Sequence, residues 1–236
     1  MRKKILLVAI AVISLTALAA ADNFVSYSSR AAQNPDDMID WGTVGYENQM
    51  VGNPVGFTSF NGNTGTVTGL GNSGSMITVI QGSSWNGNFD YGENLLWTGN
   101  TNFGYGGLGP MQVAFGNAVG SVGVSVQADF YGGFTAIMTL LDSSLNPLGS
   151  FTYSGSSDGC GCGSALFIGL GDLNGANIGG FLLNVYSASV PGEGDNDFAI
   201  DAITTGPQAT PEPASLALMG SGLVGLAGAI RRKLRG

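Results

Sequence analysis

The chain has 236 residues, with 40 glycines, only 10% charged residues and no histidine. Proline numbers 8 and no G-X-Y period runs through the chain, so the glycine excess is not collagenous; it reads as tight turns between short strands. Without histidine, Ser-His-Asp and Cys-His catalysis, His-ligated metals and the usual physiological-pH switch are all excluded.

Charge is segregated along the chain. Seven of the 8 basic residues lie at the termini (Arg2, Lys3, Lys4, Arg231, Arg232, Lys233 and Arg235), and the remaining one is Arg30. All 16 acidic residues fall between Asp22 and Glu212, so the body carries a net charge of −15. Such a surface repels nucleic acid and other polyanions, because phosphate contacts need Lys and Arg. It is compatible with cations, neutral sugars or simple solvation.

Residues 1–21 read as a Sec-type signal peptide. Arg2-Lys3-Lys4 is the basic start, Ile5 to Ala20 the uncharged apolar helix, and Ala19 to Ala21 the small-residue cleavage site. No cysteine follows to carry a lipid, and the mature chain is expected to start near Asp22.

Residues 22–206 are expected to form one all-β domain, an antiparallel sandwich of jelly-roll, lectin-like type. Val122, Val124, Val126, Ala128 and Phe130 alternate with polar or small residues, as in a half-buried strand. Phe134, Ala136, Met138 and Leu140 follow Gly132-Gly133, which suggests a hairpin. Leu148 to Tyr153 comes after a turn at Asp142 to Pro147. Phe181, Leu183 and Val185 form a later strand, and Asn196 to Ile203 a last one. Met76 to Ile80, Asn94 to Trp97 and Met111 to Phe115 are shorter candidates. The only helical turn expected is near Asp36 to Ile39, and no fixed repeat argues for a propeller or β-helix.

Three constellations in this body could carry chemistry. Glu193, Asp195, Asp197 and Asp201 cluster around the last strand, and Asp36, Asp37 and Asp40 near the first. If the two strands pair, Asp40, Asp195, Asp197 and Asp201 could converge on Ca²⁺, a hard cation that takes oxygen ligands. A solvated acidic loop is the alternative. Trp85, Tyr91 and Trp97 stand in or beside Gly/Asn-rich loops with Trp41, Phe103 and Tyr105 as further aromatics, and such faces could stack on sugar rings; core or loop packing is the alternative. Cys160-Gly161-Cys162 is expected to be a loop-stapling disulfide, since two thiols without histidine cannot close a zinc site.

An enzyme is not expected. A glycosidase needs two positioned carboxylates, and nothing singles out a pair. Two buried carboxylates with shifted pKa in one pocket would favour a hydrolase; an exposed aromatic platform would favour a binder.

At the C-terminus, residues 207–213 form a linker ending in Pro211-Glu212-Pro213. Ala214 to Ile230 is a 17-residue stretch without charge, roughly 25 Å as a helix and at the short limit for spanning a bilayer. The basic tail 231–236 would stay cytoplasmic. Pro-Glu-Pro, the apolar span and the Arg-rich end together resemble the PEP-CTERM sorting signal of exopolysaccharide-producing Gram-negative bacteria. The resemblance implies that an exosortase processes the chain at Pro211, Glu212 and Pro213, while Arg231, Arg232, Lys233 and Arg235 stop transfer. It implies passage across the inner membrane, a temporary hold there, and arrival at the cell surface or extracellular matrix. The last strand also resembles the closing strand of lectin-like sandwiches found in many PEP-CTERM proteins, which pairs near the N-terminus; Met38 to Trp41 would be its partner here. The expected function is a surface or matrix protein that binds glycan or calcium in association with exopolysaccharide, with a secreted glycosidase-like hydrolase as the alternative.

Overall fold

A computed structural model describes residues 24–71, 74–99, 107–190 and 195–207. The signal peptide, the Pro-Glu-Pro linker, the apolar span and the basic tail lie outside the described residues, as do Phe103, Tyr105 and Glu193. Among the described residues, no helix is long and apolar enough to cross a membrane.

Fifteen strands are described: β1 (Phe24–Tyr27), β2 (Asp37–Ile39), β3 (Gln49–Gly52), β4 (Val55–Thr58), β5 (Thr64–Gly69), β6 (Met76–Ile80), β7 (Asn94–Trp97), β8 (Met111–Val119), β9 (Ser121–Ala128), β10 (Gly132–Leu141), β11 (Pro147–Ser157), β12 (Leu166–Asp172), β13 (Ile178–Ser187), β14 (Phe198–Ile200) and β15 (Ile203–Gly206). One short helix, α1 (Arg30–Gln33), and a 3-10 turn (Trp41–Thr43) interrupt them. The strands form two antiparallel sheets packed as a sandwich. The first runs β1-β12-β9-β14-β7-β6-β3, with β15 joined to β9 and β2 to β15; the second runs β11-β10-β13-β8-β5-β4.

Alternation explains the packing. In β10, Phe134, Ala136, Met138 and Leu140 are buried while Thr135, Ile137 and Thr139 face outward. They meet Val122, Val124 and Val126 of β9 and Phe181, Leu183 and Val185 of β13 in one core. Each such Val, Leu, Met or Phe side chain contributes about 1.5–3 kcal/mol by leaving water. The rings of Trp41, Phe57, Phe115 and Phe181 continue it in edge-on and tilted contacts.

The first sheet is buried on its outer face as well. Ile77, Val79 and Leu95 point away from the main core and form a second cluster with Trp85 and Phe89. This is why β6 reads Met-Ile-Thr-Val-Ile without alternation: the loop after it folds back as a lid.

Four expectations need correction. The strands at 121–128 and 132–141 do not form a hairpin: β9 pairs with β12, β14 and β15 in the first sheet, and β10 with β11 and β13 in the second. Gly132, at φ +117, marks the sharp crossing between sheets, a conformation open to glycine. The last strand is not continuous: β14 lies between β9 and β7, and β15 pairs with β2 through Ile203↔Ile39 and Thr204↔Met38. The expected N-terminal partner is therefore found, but only for the second half. Residues 37–39 are strand, not helix, and the helical turns sit at Arg30–Gln33 and Trp41–Thr43, capped by Ser29 and Asp40. Strands β1, β3, β4, β5 and β12 are additional to those expected from the sequence.

Candidate ligand cleft

The break between β14 and β15 is made by Asp201. Its N–H donates to the Ser125 carbonyl at 3.1 Å, and its carboxylate accepts the Ser125 N–H at 2.7 Å. Its carbonyl accepts the Trp41 indole N–H at 2.7 Å. Turning the side chain sideways onto β9 satisfies these groups but ends the regular ladder.

Arg30, the one cation of the body, reaches the same point from α1. Ser29 caps that helix by accepting the Ala32 N–H, which sets Arg30 over the break. One guanidinium nitrogen donates to Asp201 Oδ2 at 2.7 Å and to the Ala202 carbonyl at 3.0 Å. Burial pushes the Asp201 carboxyl up, and Arg30 and the Ser125 N–H pull it back. Arg30 Nε is buried with no hydrogen-bond partner among the described residues.

The pair lines a cleft of about 490 Å³. Glu93 and Asp90 stand on one side, with the Asp90 N–H donating to Glu93 Oε2 at 3.1 Å. Glu93 is half-buried, and its carboxyl is raised by burial and then by the charge of Asp201. Phe89 and Phe167 supply apolar surface. The Phe167 ring rests on the glycines of two strands: a Cβ at Gly123 or Gly169 would come within 2.7 or 2.6 Å of it. The cleft thus brings together one guanidinium, carboxylates, serine hydroxyls and an aromatic wall.

The bonded pair Cys160–Cys162 shapes another wall. The two cysteines form a disulfide with Cα atoms 5.2 Å apart. Gly159, Gly161 and Gly163 all take left-handed φ values, which lets so short a ring close. The loop docks on the lid: the Gly161 N–H donates to the Gly87 carbonyl, and Asn88 Oδ1 accepts the N–H groups of Asp158 and Gly159. Gly163 and Ala165 then line the cleft.

The expected site residues are distributed differently. Asp40 caps the 3-10 turn through the Gly42 N–H at 2.9 Å. Asp195 lies half-buried in the turn before β14. Asp197 accepts the Trp97 indole N–H at 2.7 Å. It is pushed up to about 6 by burial and the neighbouring Asp129 charge. Asp201 faces Arg30. Asp37 holds the N–H groups of Met38 and Asn61. Among the described residues, no three His, Cys, Asp or Glu side chains gather to hold a metal.

The aromatics also divide. Trp85 is buried and Trp97 half-buried, and their rings meet edge-on at 5.6 Å. Trp41 is fully buried. Tyr91 is 80% exposed, with its ring over Gly82. The tryptophans are drawn inward because the outer face of β6 and β7 needs an apolar cover. Arg30, Glu93 and Phe167 were not singled out from sequence; the signal available was that Arg30 is the body's single base.

The molecule is thus an antiparallel two-sheet sandwich with a charged, aromatic-walled cleft on its lidded sheet. Residues 209–233 match the PEP-CTERM protein-sorting motif, which marks the chain as an exported exosortase substrate sorted through its C-terminus to the cell surface. No curated protein matches the chain.

Proposed function

We propose that this protein is a non-enzymatic component of the cell surface or extracellular matrix of a Gram-negative bacterium. Its lectin-like sandwich binds neutral glycan, exopolysaccharide above all, in the Arg30–Asp201 cleft. The observation that supports this reading is the placement of the body's one guanidinium beside Glu93, Asp90 and the Phe167 ring in a single concavity. Guanidinium and carboxylates match sugar hydroxyls, and Phe167 offers a stacking face to the C–H side of a ring. Calorimetry against the producing cell's own exopolysaccharide tests it. Phe167→Ala and Glu93→Gln are each expected to weaken binding at least about tenfold, a loss of about 1.4 kcal/mol. Binding that survives both substitutions unchanged removes the cleft from the reading.

A glycosidase-like reading is favoured by a different observation. Glu93 and Asp201 share the cleft and both carboxyls are raised. A proton held on Glu93 could serve as a general acid, whereas Asp201 is committed to Arg30 and Ser125. Release of reducing ends, abolished by Glu93→Gln with binding retained, would establish hydrolysis; its absence leaves the binder.

A further inference from the structure

The second sheet carries no charge. The fifty residues of β4, β5, β8, β10, β11 and β13 include no Asp, Glu, Lys or Arg. In this acidic body, every acid among the described residues lies in the turns, the loops or the first sheet.

The sheet edges differ sharply in length. β1, β3 and β4 have four residues each and β2 has three. Short edge strands are one of the ordinary protections against edge-to-edge pairing. β11 has eleven residues, roughly 37 Å of strand. Among the described residues it pairs with β10 alone, and no other backbone hydrogen bond reaches Leu148 to Gly155. It carries no lysine, no inward charge and no proline after Pro147, and its register with β10 is regular from Gly149 to Ser157. The neighbouring β1 closes the seam with side chains, through Phe24 on Phe151 and the Ser26–Tyr153 hydroxyl contact, and leaves the β11 backbone unpaired.

We infer that β11 is a self-association edge, which pairs antiparallel with β11 of a second copy and joins two six-stranded sheets into one. Charge selects this occupant. Two strongly acidic bodies can approach without like-charge contact only along an uncharged surface, and β11 is the uncharged surface with free backbone groups. Two-fold pairing is self-complementary. On the outward face it sets Ser150, Thr152 and Ser154 against the same residues of the second copy, as Thr139 and Ser150 already pair through their hydroxyls at 2.7 Å, and on the inner face it brings Phe151 and Tyr153 beside their counterparts. Asp142 and Asp158 bracket the strand, so the ends of the paired strands repel, and added salt strengthens the dimer.

The test uses the full chain in detergent, with sedimentation and amide hydrogen exchange followed across concentration. The expected result is a monomer–dimer equilibrium that shifts toward dimer between 20 and 300 mM salt on the order of the screening change. Amides of residues 148–156 gain protection as the dimer forms. Thr152→Lys with Ser154→Lys, both exposed, raises the dissociation constant at least about tenfold. Thr66→Lys, exposed on the same sheet but on the interior strand β5, leaves it unchanged. A chain monomeric at millimolar concentration overturns the inference. So does a dimer in which exchange at 148–156 is unaltered, since another surface then associates, and so does protection of those amides in the monomer, since a segment of the same chain then covers the edge.

Discussion

Replacing Asp197 with asparagine should stabilise the protein at neutral pH. Asp197 is 4% exposed, and its carboxylate accepts the Trp97 indole N–H at 2.7 Å. Burial and the Asp129 charge raise its carboxyl from the ordinary 3.8 to about 6. A carboxyl raised on folding binds its proton more tightly in the native state. Its contribution is therefore most favourable below pH 3.8 and is lost as pH rises through about 6. At pH 7 the buried charge costs about 3 kcal/mol; at pH 4 the cost falls to about 0.5 kcal/mol. Asparagine keeps an oxygen for Trp97 and removes the charge. Asp197→Asn should gain up to about 3 kcal/mol at pH 7, or roughly 6–12 °C in melting temperature for a domain of this size, and little at pH 4. Thermal unfolding of variant and wild type at both pH values measures it. A variant no more stable at pH 7, or one whose gain is the same at pH 4, would refute the argument from burial.

Three further outcomes follow from the same structure. Arg30→Ala strands the buried Asp201 carboxylate and should cost about 3–5 kcal/mol in denaturant titration, with Arg30→Ala/Asp201→Asn recovering part of it. Equal stability of Arg30→Ala and wild type would show the pair to be without weight. Reduction of Cys160–Cys162 opens a ring of only three residues, so chain entropy sets the loss at about 1.6 kcal/mol, and melting with and without reductant should differ by a few degrees. Gly180→Ala puts a Cβ 2.1 Å from the Val113 carbonyl and should destabilise by about 1–3 kcal/mol, whereas Gly133→Ala, with nothing within 4 Å, should be near neutral in the same assay.

Legibility from sequence followed the range of the forces involved. Val122 to Ala128 and Phe134 to Leu140 announce themselves as strands because one face of each is buried and the side-chain period is two. Met76–Ile80 and Asn94–Trp97 were also readable, as short apolar runs. β5, Thr-Gly-Thr-Val-Thr-Gly, was not, since small residues mask the period. Trp85 and Trp97 looked like a sugar platform because their loop is polar; the structure turns them inward because Ile77, Val79 and Leu95 need cover. Asp201 reads from sequence as a possible calcium ligand; the structure sets it against Arg30, 171 residues away in sequence.

By itself, then, the sequence determined what is contiguous or periodic: the sorting motif at 209–233, the acidic body and the half-buried strands. Only the tertiary structure decided which sheet each strand joins, that β14 and β15 part at Asp201, and that Arg30, Glu93 and Phe167 share a cleft. The physical reason is that periodicity records whether a residue is buried, but not against what. The partner across the core, or across a broken ladder, is chosen by long-range packing and by the need to satisfy each buried charge.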